Sequence, residues 1–383
     1  MARVLVAMSG GVDSAVAAEL LQAQGHDVTG VHLRLADVPD AKQVPGHGCC
    51  GLDDAQDARR TAQVLDVPFY VLDMTEIFAR EVQGPFAAEY AAGRTPNPCV
   101  TCNERVKYAA LLERAIELGF DAIATGHHAR LERDGRPVVA PGPGAQLLRA
   151  RDAAKDQSYV LHMASPEQLA ATLLPVGELS KVEVRERAQA AGLRVAGKPD
   201  SYDVCFIPDG DTAGWLSGQL GERPGPVVDV DGSVIGTHRG VWGVTVGQRR
   251  GLGLDHHERR FVVDVDVATD TVLVGPRSAL ACRWVEVAQP TWTTGQPPAP
   301  GEAVRVQLRA HGASLRGRSG TVDSGALRLE LDEPAYGVAL GQAAVVYDLT
   351  DQHCLGGGRI TGADRPARLP VLSGAGRGGA GER

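Results

Sequence analysis

The stretch Val4-Leu5-Val6-Ala7-Met8-Ser9-Gly10-Gly11-Val12-Asp13-Ser14-Ala15-Val16, continuing through Leu20-Leu21-Gln22-Ala23-Gln24-Gly25, decides the fold of this 383-residue chain. A short apolar run ends at two adjacent glycines, and the next segment places Val16, Leu20 and Ala23 at helical spacing before Gly25 stops it. The reading is strand, tight loop, helix. At such a junction the first-turn N–H groups lack intrahelical partners and the macrodipole is positive, so main chain alone can hold an anion. Gly10 and Gly11 admit a phosphate to the backbone, and Ser9 and Ser14 offer hydroxyls. The Gly-Lys-Ser/Thr ending of a Walker A loop is missing, which argues against transfer of a γ-phosphate.

Working outward, Val28–Leu33 and Phe69–Leu72 read as buried strands, with a helix between them that starts at an Asp53/Gln56 capping box and reaches Leu65. A helical pattern from Thr75 to Ala92 is interrupted at Gly84-Pro85; a loop covers Gly93–Asn103, a helix Glu104–Leu118 and a strand Asp121–Thr125. Strands alternating with helices at this spacing predict an α/β, doubly wound parallel sheet, whose ligands sit at the carboxyl ends of the strands. Gly135–Gly144 is turn-rich and reads as a hairpin. Ser165-Pro166 opens a helix, Ser180–Glu183 is a capping box, and that second helix ends near Gly192.

Past residue 210 the pattern changes to short alternating strands, with Asp231-Gly232 as a hairpin turn and further strands at 261–265, 272–274, 304–308, 327–331 and 344–347. The expected division is a nucleotide-binding catalytic domain at 1–209, a small β-rich central domain at 210–285, a C-terminal β-barrel at 286–363 and a disordered Gly/Arg-rich tail at 364–383. The proline-rich stretch Pro290–Gly301 reads as a boundary or a loop.

Apolar content of 43% and charged content of 22% are those of an ordinary globular protein, with no apolar run long enough for a membrane span. The N-terminus enters a strand directly without a signal-peptide pattern, so the expected location is cytoplasmic. A net charge of −8 argues against non-specific coating of nucleic acid, although His238-Arg239, Gln248-Arg249-Arg250 and His256-His257-Glu258-Arg259-Arg260 crowd basic groups into one stretch. Seven cysteines, an odd number, do not make a disulfide framework. Cys99-Val100-Thr101-Cys102 stands beside a helix N-terminus near Arg94, Arg105 and Lys107, where a thiolate is stabilised. Cys205 follows an Asp200-Ser201 loop. Cys282 and Cys354 read as small buried apolar residues and Cys49-Cys50 as loop filler, and a zinc site has no second C-x-x-C to complete it.

Ser9-Gly-Gly-Val-Asp-Ser14 resembles the PP-loop of ATP pyrophosphatases. Together with Thr95-Pro-Asn-Pro98, Cys102-Asn103, Ala124-Thr-Gly-His127, Lys155-Asp-Gln-Ser-Tyr159, Asp200-Ser201, Cys205-Phe-Ile207 and Thr245-Val-Gly-Gln-Arg249, it resembles the tRNA-specific 2-thiouridylase (MnmA) family from residue 3 to about 360. The resemblance implies a PP-loop domain (adenine nucleotide α hydrolase-like), a central domain and a barrel. It also implies ATP-dependent conversion of the wobble uridine of glutamate, glutamine and lysine tRNAs to 2-thiouridine, by a monomer served by a cysteine desulfurase or sulfur-relay protein.

Residue by residue, the resemblance gives ATP, with magnesium, to Ala7, Met8, Ser9, Gly10, Gly11, Val12, Asp13 and Ser14, with Leu33 and Gly126 around the nucleotide. It gives tRNA contacts to Asn97, Lys155, Asp156, Gln157, Arg309 and Ala310. Leu33 and Ala310 depart from the methionine and tyrosine common there. Cys205 is the implied persulfide carrier and Cys102 the nucleophile that resolves it. Cys99, where many members have aspartate, is an acid or base if its pKa is lowered. The alternative makes Cys99, Cys102 and Cys205 three ligands of an iron–sulfur cluster. Two other functions fit parts of the sequence: a PP-loop ligase acting on a small metabolite, and a non-catalytic tRNA-binding protein.

Overall fold

The computed structural model describes residues 1–36, 52–200, 204–207, 209–254, 259–321 and 326–364. In chain order it begins β1 (Arg3–Ala7), α1 (Val12–Ala23), β2 (Asp27–Arg34), α2 (Leu52–Val64) and β3 (Phe69–Asp73). Next come α3 (Thr75–Phe78), a π-helical stretch (Ala79–Gln83), α4 (Gly84–Ala91), α5 (Pro98–Cys102), a second π-helical stretch (Asn103–Leu111), α6 (Leu112–Glu117) and β4 (Ala122–Ala124). β5 (Ala129–Arg133), β6 (Arg136–Pro137) and β7 (Gln146–Arg149) precede α7 (Pro166–Ala170), β8 (Thr172–Leu173) and α8 (Lys181–Ala190).

Strands β3-β2-β1-β4-β8 form one parallel sheet. Its central strand is buried on both faces: Val4 and Val6 pack with Val16, Ala58 and Val184, whereas Leu5 packs with Val106 and Leu111. That split explains why β1 reads as a continuous apolar run and establishes the doubly wound arrangement. β5, β6 and β7 form a separate antiparallel sheet, turning at Asp134 and Gly135, both at positive φ. The hairpin turn thus lies at the start of the turn-rich segment.

After α9 (Thr212–Leu220), β9 (Gly225–Asp229), β10 (Val234–His238), β11 (Phe261–Asp266) and β12 (Thr271–Gly275) make a four-stranded sheet in the order β10-β9-β12-β11. β13 (Ala281–Trp292), β14 (Ala303–Gln307), β15 (Leu315–Thr321), β16 (Leu327–Tyr336), β17 (Ala343–Tyr347) and β18 (Cys354–Ala363) close a barrel. Val285, Val304, Leu329, Val346 and Ile360 fill its interior. No helix among the described residues is long and apolar enough to cross a membrane.

Several local expectations are corrected. α2 begins at Leu52, so Asp53 lies in the first turn beside the positive dipole and is not the cap. Gly84-Pro85 does not break the helix: the Gly84 N–H bonds to the Ala79 carbonyl, five residues back, and this wider turn accommodates a proline that has no N–H to give. The thiol loop is helical from Pro98, because Asn97 caps it. α9 falls where only strands were expected; Asp211 caps it by accepting from the Gly214 N–H at 2.8 Å. Residue 286, taken as the barrel's start, lies inside β13.

β17 is buried on both faces. Ala344 and Val346 face the barrel interior, while Ala343, Val345 and Tyr347 join the core of the N-terminal domain. At this junction Tyr159 donates to the Ala343 carbonyl at 2.9 Å, and the Tyr347 hydroxyl lies 3.0 Å from Ser158 Oγ. The Arg149 guanidinium sits 3.7 Å from the Tyr347 ring centroid and donates to Asp156 at 2.7 Å and Asp351 at 2.8 Å. Replacing Arg149 with Met strips the charge partner from an Asp156 side chain only 8% exposed. The expected result is a loss of roughly 3 kcal/mol in urea unfolding; a loss below about 0.5 kcal/mol, the size of an ordinary surface change, would contradict this junction.

Candidate active site

The phosphate loop is shaped before any ligand arrives. Gly10 adopts φ +80°, and a Cβ there would lie 2.3 Å from the Asp54 carbonyl oxygen, so only glycine fits. Ser14 Oγ accepts from the Ser9 N–H at 3.1 Å and donates to the Gly11 carbonyl at 3.1 Å. Gly11 occupies the N-cap of α1 and contributes no side-chain cap, which leaves first-turn amides for an anion. Lys198 Nζ straps the loop to α2, donating to the Gly10 carbonyl at 3.0 Å and to Asp54 and Asp57 at 2.8 Å each. Burial opposes its charge, but the two carboxylates outweigh burial and raise its pKa.

Asp13, in the first turn of α1, is the hub. His128 Nε2 lies 3.0 Å from Oδ1, and Lys181 Nζ lies 2.8 Å from both carboxylate oxygens. Burial pushes the Asp13 pKa up, and these partners more than reverse it. Lys181 also pairs with Asp200 Oδ1 at 2.8 Å, while Asp200 receives Lys155 at 2.7 Å and Arg185 at 2.9 Å. Burial again disfavours the carboxylate, but hydrogen bonds from Lys155 and Lys181 hold the Asp200 pKa at about 2. Gln157 Oε1 accepts from the His128 N–H at 2.9 Å, and the Gln157 N–H donates to the His128 carbonyl at 2.7 Å. Gly126 backs onto the Ser14 backbone. His127 is buried between Thr125 Oγ1 at 2.7 Å and Lys107 Nζ at 3.4 Å; burial first, then Lys107, keep it neutral.

Asn97 Oδ1 accepts from the N–H groups of Cys99 at 3.0 Å and Val100 at 3.3 Å, with Pro98 at the first helical position. The cap places the C-x-x-C on a helix, with Cys99 exposed and Cys102 8% exposed. Asn103 Nδ2 donates to the Val160 carbonyl at 2.9 Å and ties this helix to the Lys155–Tyr159 segment. Cys205 is half-buried. Its neighbour Phe206 makes edge contacts with Phe78, Phe86 and Trp215 at centroid distances of 5.6, 5.4 and 5.2 Å. Cys102 and Cys205 pack on the same apolar core. Among the described residues no three His, Cys, Asp or Glu side chains gather as a metal-holding group. Cys282 and Cys354 are buried in β13 and β18, and burial pushes the Cys354 thiol up to about 12.

The other expected positions fall as follows. Ala7, Met8 and Val12 line the strand-loop-helix, and Leu33 is buried on β2. Asp156 is saturated internally, accepting from Arg149, the Ala150 N–H and Ser158. Arg309 is exposed and donates to the Tyr336 carbonyl at 2.9 Å, and Ala310 follows it. Cys49, Cys50, Ser201, His256, His257 and the C-terminal tail beyond Asp364 lie outside the described residues. Sequence reading missed Lys181, Lys198 and His128 as site residues. Lys181 was visible only as the residue after a capping serine, and Lys198 only within a Gly-Lys-Pro turn.

A strand-loop-helix with a strapped anion loop, at the carboxyl edge of a parallel sheet, defines a nucleotide-binding domain of the HUP class. Residues 2–209 match a family described as "tRNA methyl transferase HUP domain", 213–276 its "PRC-barrel domain" and 283–360 an "Aminomethyltransferase beta-barrel domain". Full-length relatives are more specific. The chain is 52% identical over 347 residues to the tRNA-specific 2-thiouridylase MnmA of Thermobifida fusca, covering 90% of this chain and 92% of that protein. It is 50% identical to the Beutenbergia cavernae protein of the same name, covering 98% and 99%. The chain belongs to the tRNA-specific 2-thiouridylase family. Among solved structures, a 4-thiouridine synthetase in complex with RNA and ATP shares 16% identity over 57% of this chain and 50% of that one, with a TM-score of 0.31. An NMN synthetase from Francisella tularensis shares 18% identity over 57% and 72%, at 0.32.

The Asp200 cluster carries a definite pH dependence. Its folded pKa of about 2 lies below the ordinary 3.8, so its stabilisation is complete above pH 3.8 and is lost as pH falls through about 2. The stability difference between wild type and Asp200→Asn is therefore constant from pH 7 to about 4 and narrows below that. Denaturant titrations across this range check it; a difference that already collapses between pH 7 and about 5 contradicts the assignment.

Proposed function

We propose that this chain makes 2-thiouridine at the wobble position of tRNA, consuming ATP and releasing AMP and diphosphate, as a tRNA-uridine 2-sulfurtransferase. The observation that carries the reading is the presence of a strapped phosphate loop and two thiols on a shared core, in a chain half identical to 2-thiouridylases over most of its length. Residues 1–209 supply the chemistry, 210–285 the central domain and 286–363 the barrel that helps hold tRNA. The expected substrates are glutamate, glutamine and lysine tRNAs, the sulfur source is a cysteine desulfurase or relay protein, and the chain works as a cytoplasmic monomer.

The C2 oxygen of uracil is a poor leaving group, so it is first adenylated. That oxygen attacks the α-phosphorus of ATP and displaces diphosphate, whose negative charge the α1 amides, Ser9 and Ser14 receive, with magnesium accompanying the nucleotide. Leu33 and Gly126 flank the nucleotide. Asn97, Lys155, Asp156, Gln157, Arg309 and Ala310 belong to the tRNA side, where the target base leaves the anticodon stack. The terminal sulfur of a Cys205 persulfide attacks C2, and AMP departs with the former C2 oxygen. The Cys102 thiolate attacks Cys205 Sγ and breaks the S–S bond, leaving 2-thiouridine and a Cys102–Cys205 disulfide that an external dithiol reduces. Cys99, exposed on the first turn, serves as acid or base.

Thionucleoside analysis of unmodified glutamate tRNA incubated with the protein, ATP and a persulfide donor tests this. Cys102→Ser and Cys205→Ser abolish 2-thiouridine and Cys99→Ser retains it on this reading. Loss in all three variants, with activity following the iron content of anaerobically purified protein, replaces the persulfide route with an iron–sulfur route. No product from wild type with a competent donor overturns the function.

A further inference from the structure

The four residues before the C-x-x-C are held by all three domains. The Thr95 N–H donates to the Leu340 carbonyl at 2.7 Å. Gln342 Nε2 donates to the Thr95 carbonyl at 2.9 Å and lies 3.5 Å from the Pro96 carbonyl. Thr95 Oγ1 lies 3.5 Å from Thr245 Oγ1 of the central domain. Gly341 has φ +91°, and a Cβ on it would sit 3.0 Å from Thr95 N and 3.1 Å from Arg94 Cβ, so the barrel loop is pressed directly onto this segment. Arg94 grips Glu89 at 2.6 Å, and Arg359 of β18 reaches the same carboxylate at 3.1 Å.

The segment is stiff. Prolines at 96 and 98 fix φ on either side of Asn97, whose side chain caps α5. A displacement at Thr95 is therefore passed to the cap and to the thiol helix, because little slack separates them. At its other end the barrel loop begins beside Tyr336, whose carbonyl accepts from Arg309. The loop from 337 to 342 thus lies between the proposed tRNA contact and the thiol cap.

We propose that Gln342 is a positioning residue for the thiol pair: by holding the carbonyls of Thr95 and Pro96 it sets the Asn97 cap and the placement of Cys99 and Cys102. Seating of the barrel on the N-terminal domain thereby controls sulfur transfer. This rests on the thiolation reading, and its test has an arm that needs no turnover.

Full-length wild type, Gln342→Met, which keeps the length and removes the donor, and Gln342→Lys, which retains an N–H donor, are compared. Iodoacetamide labelling of Cys102, read by peptide mass spectrometry without tRNA, ATP or sulfur donor, accelerates about threefold or more in Gln342→Met and stays near wild type in Gln342→Lys. In turnover, Gln342→Met lowers kcat about tenfold, while KM for ATP and Kd for tRNA stay within about twofold. Unchanged labelling, or a kcat loss matched by an equal loss of tRNA affinity, overturns the proposal, the latter because Gln342 then only holds the barrel. If Gln342→Met does not fold, Gly341→Ala, which pushes on Thr95 without removing a hydrogen bond, gives the same labelling readout. Absence of product from wild type would defeat the thiolation reading while the labelling arm still decides this one.

Discussion

A helix that starts without a side-chain cap leaves its first amides in want of an acceptor, and α1 starts in this way at Gly11. Much of the N-terminal domain surrounds that want. Gly10 is pressed against α2 where no side chain fits, and Lys198 fastens the loop's carbonyl to Asp54 and Asp57. Asp13 would repel an incoming phosphate were it not neutralised by Lys181 and His128. The loop therefore presents a positive dipole with its one nearby carboxylate already paired, a preorganised site that needs little rearrangement to hold an anion.

The cations that neutralise Asp13 also reach the rest of the site. Lys181 joins Asp13 to Asp200, and Asp200 joins Lys155, which stands at the head of the segment holding Gln157, Ser158 and Tyr159. Ser158 and Tyr159 then bond to β17 of the barrel. A strand with both faces buried gives that docking its permanence, since separating the barrel would expose Val345 and Tyr347 and strand Arg149. Nucleotide loop, thiol helix and barrel are thus parts of one packed arrangement.

What was legible in the sequence was local. The phosphate loop, the capping boxes at Ser165 and Ser180 and the Asp231-Gly232 turn are each specified within a few residues, and the structure contains all of them. α9 escaped because Gly214 and Gly218 lower helix propensity and its Asp211 cap resembles any turn aspartate. The thiol helix was started too late because Pro-Asn-Pro reads as loop, although the same asparagine is the cap. Lys181 and Lys198 could not be recognised at all: their partners Asp13 and Asp54 lie 168 and 144 residues away in sequence. The groups that shape the site's charge are set by tertiary contact, whereas the groups that name its chemistry are set by motif.

The central claim is that ATP activates the base by taking its C2 oxygen, with thiolation and AMP release as one exchange at a single carbon. Isotope tracing tests this most directly. A glutamate tRNA carrying oxygen-18 at C2 of the wobble uridine is thiolated in a single turnover, and AMP, diphosphate and water are analysed by mass spectrometry. The account predicts one labelled oxygen in AMP for each 2-thiouridine formed. Label in water with unlabelled AMP, or in diphosphate, would contradict it.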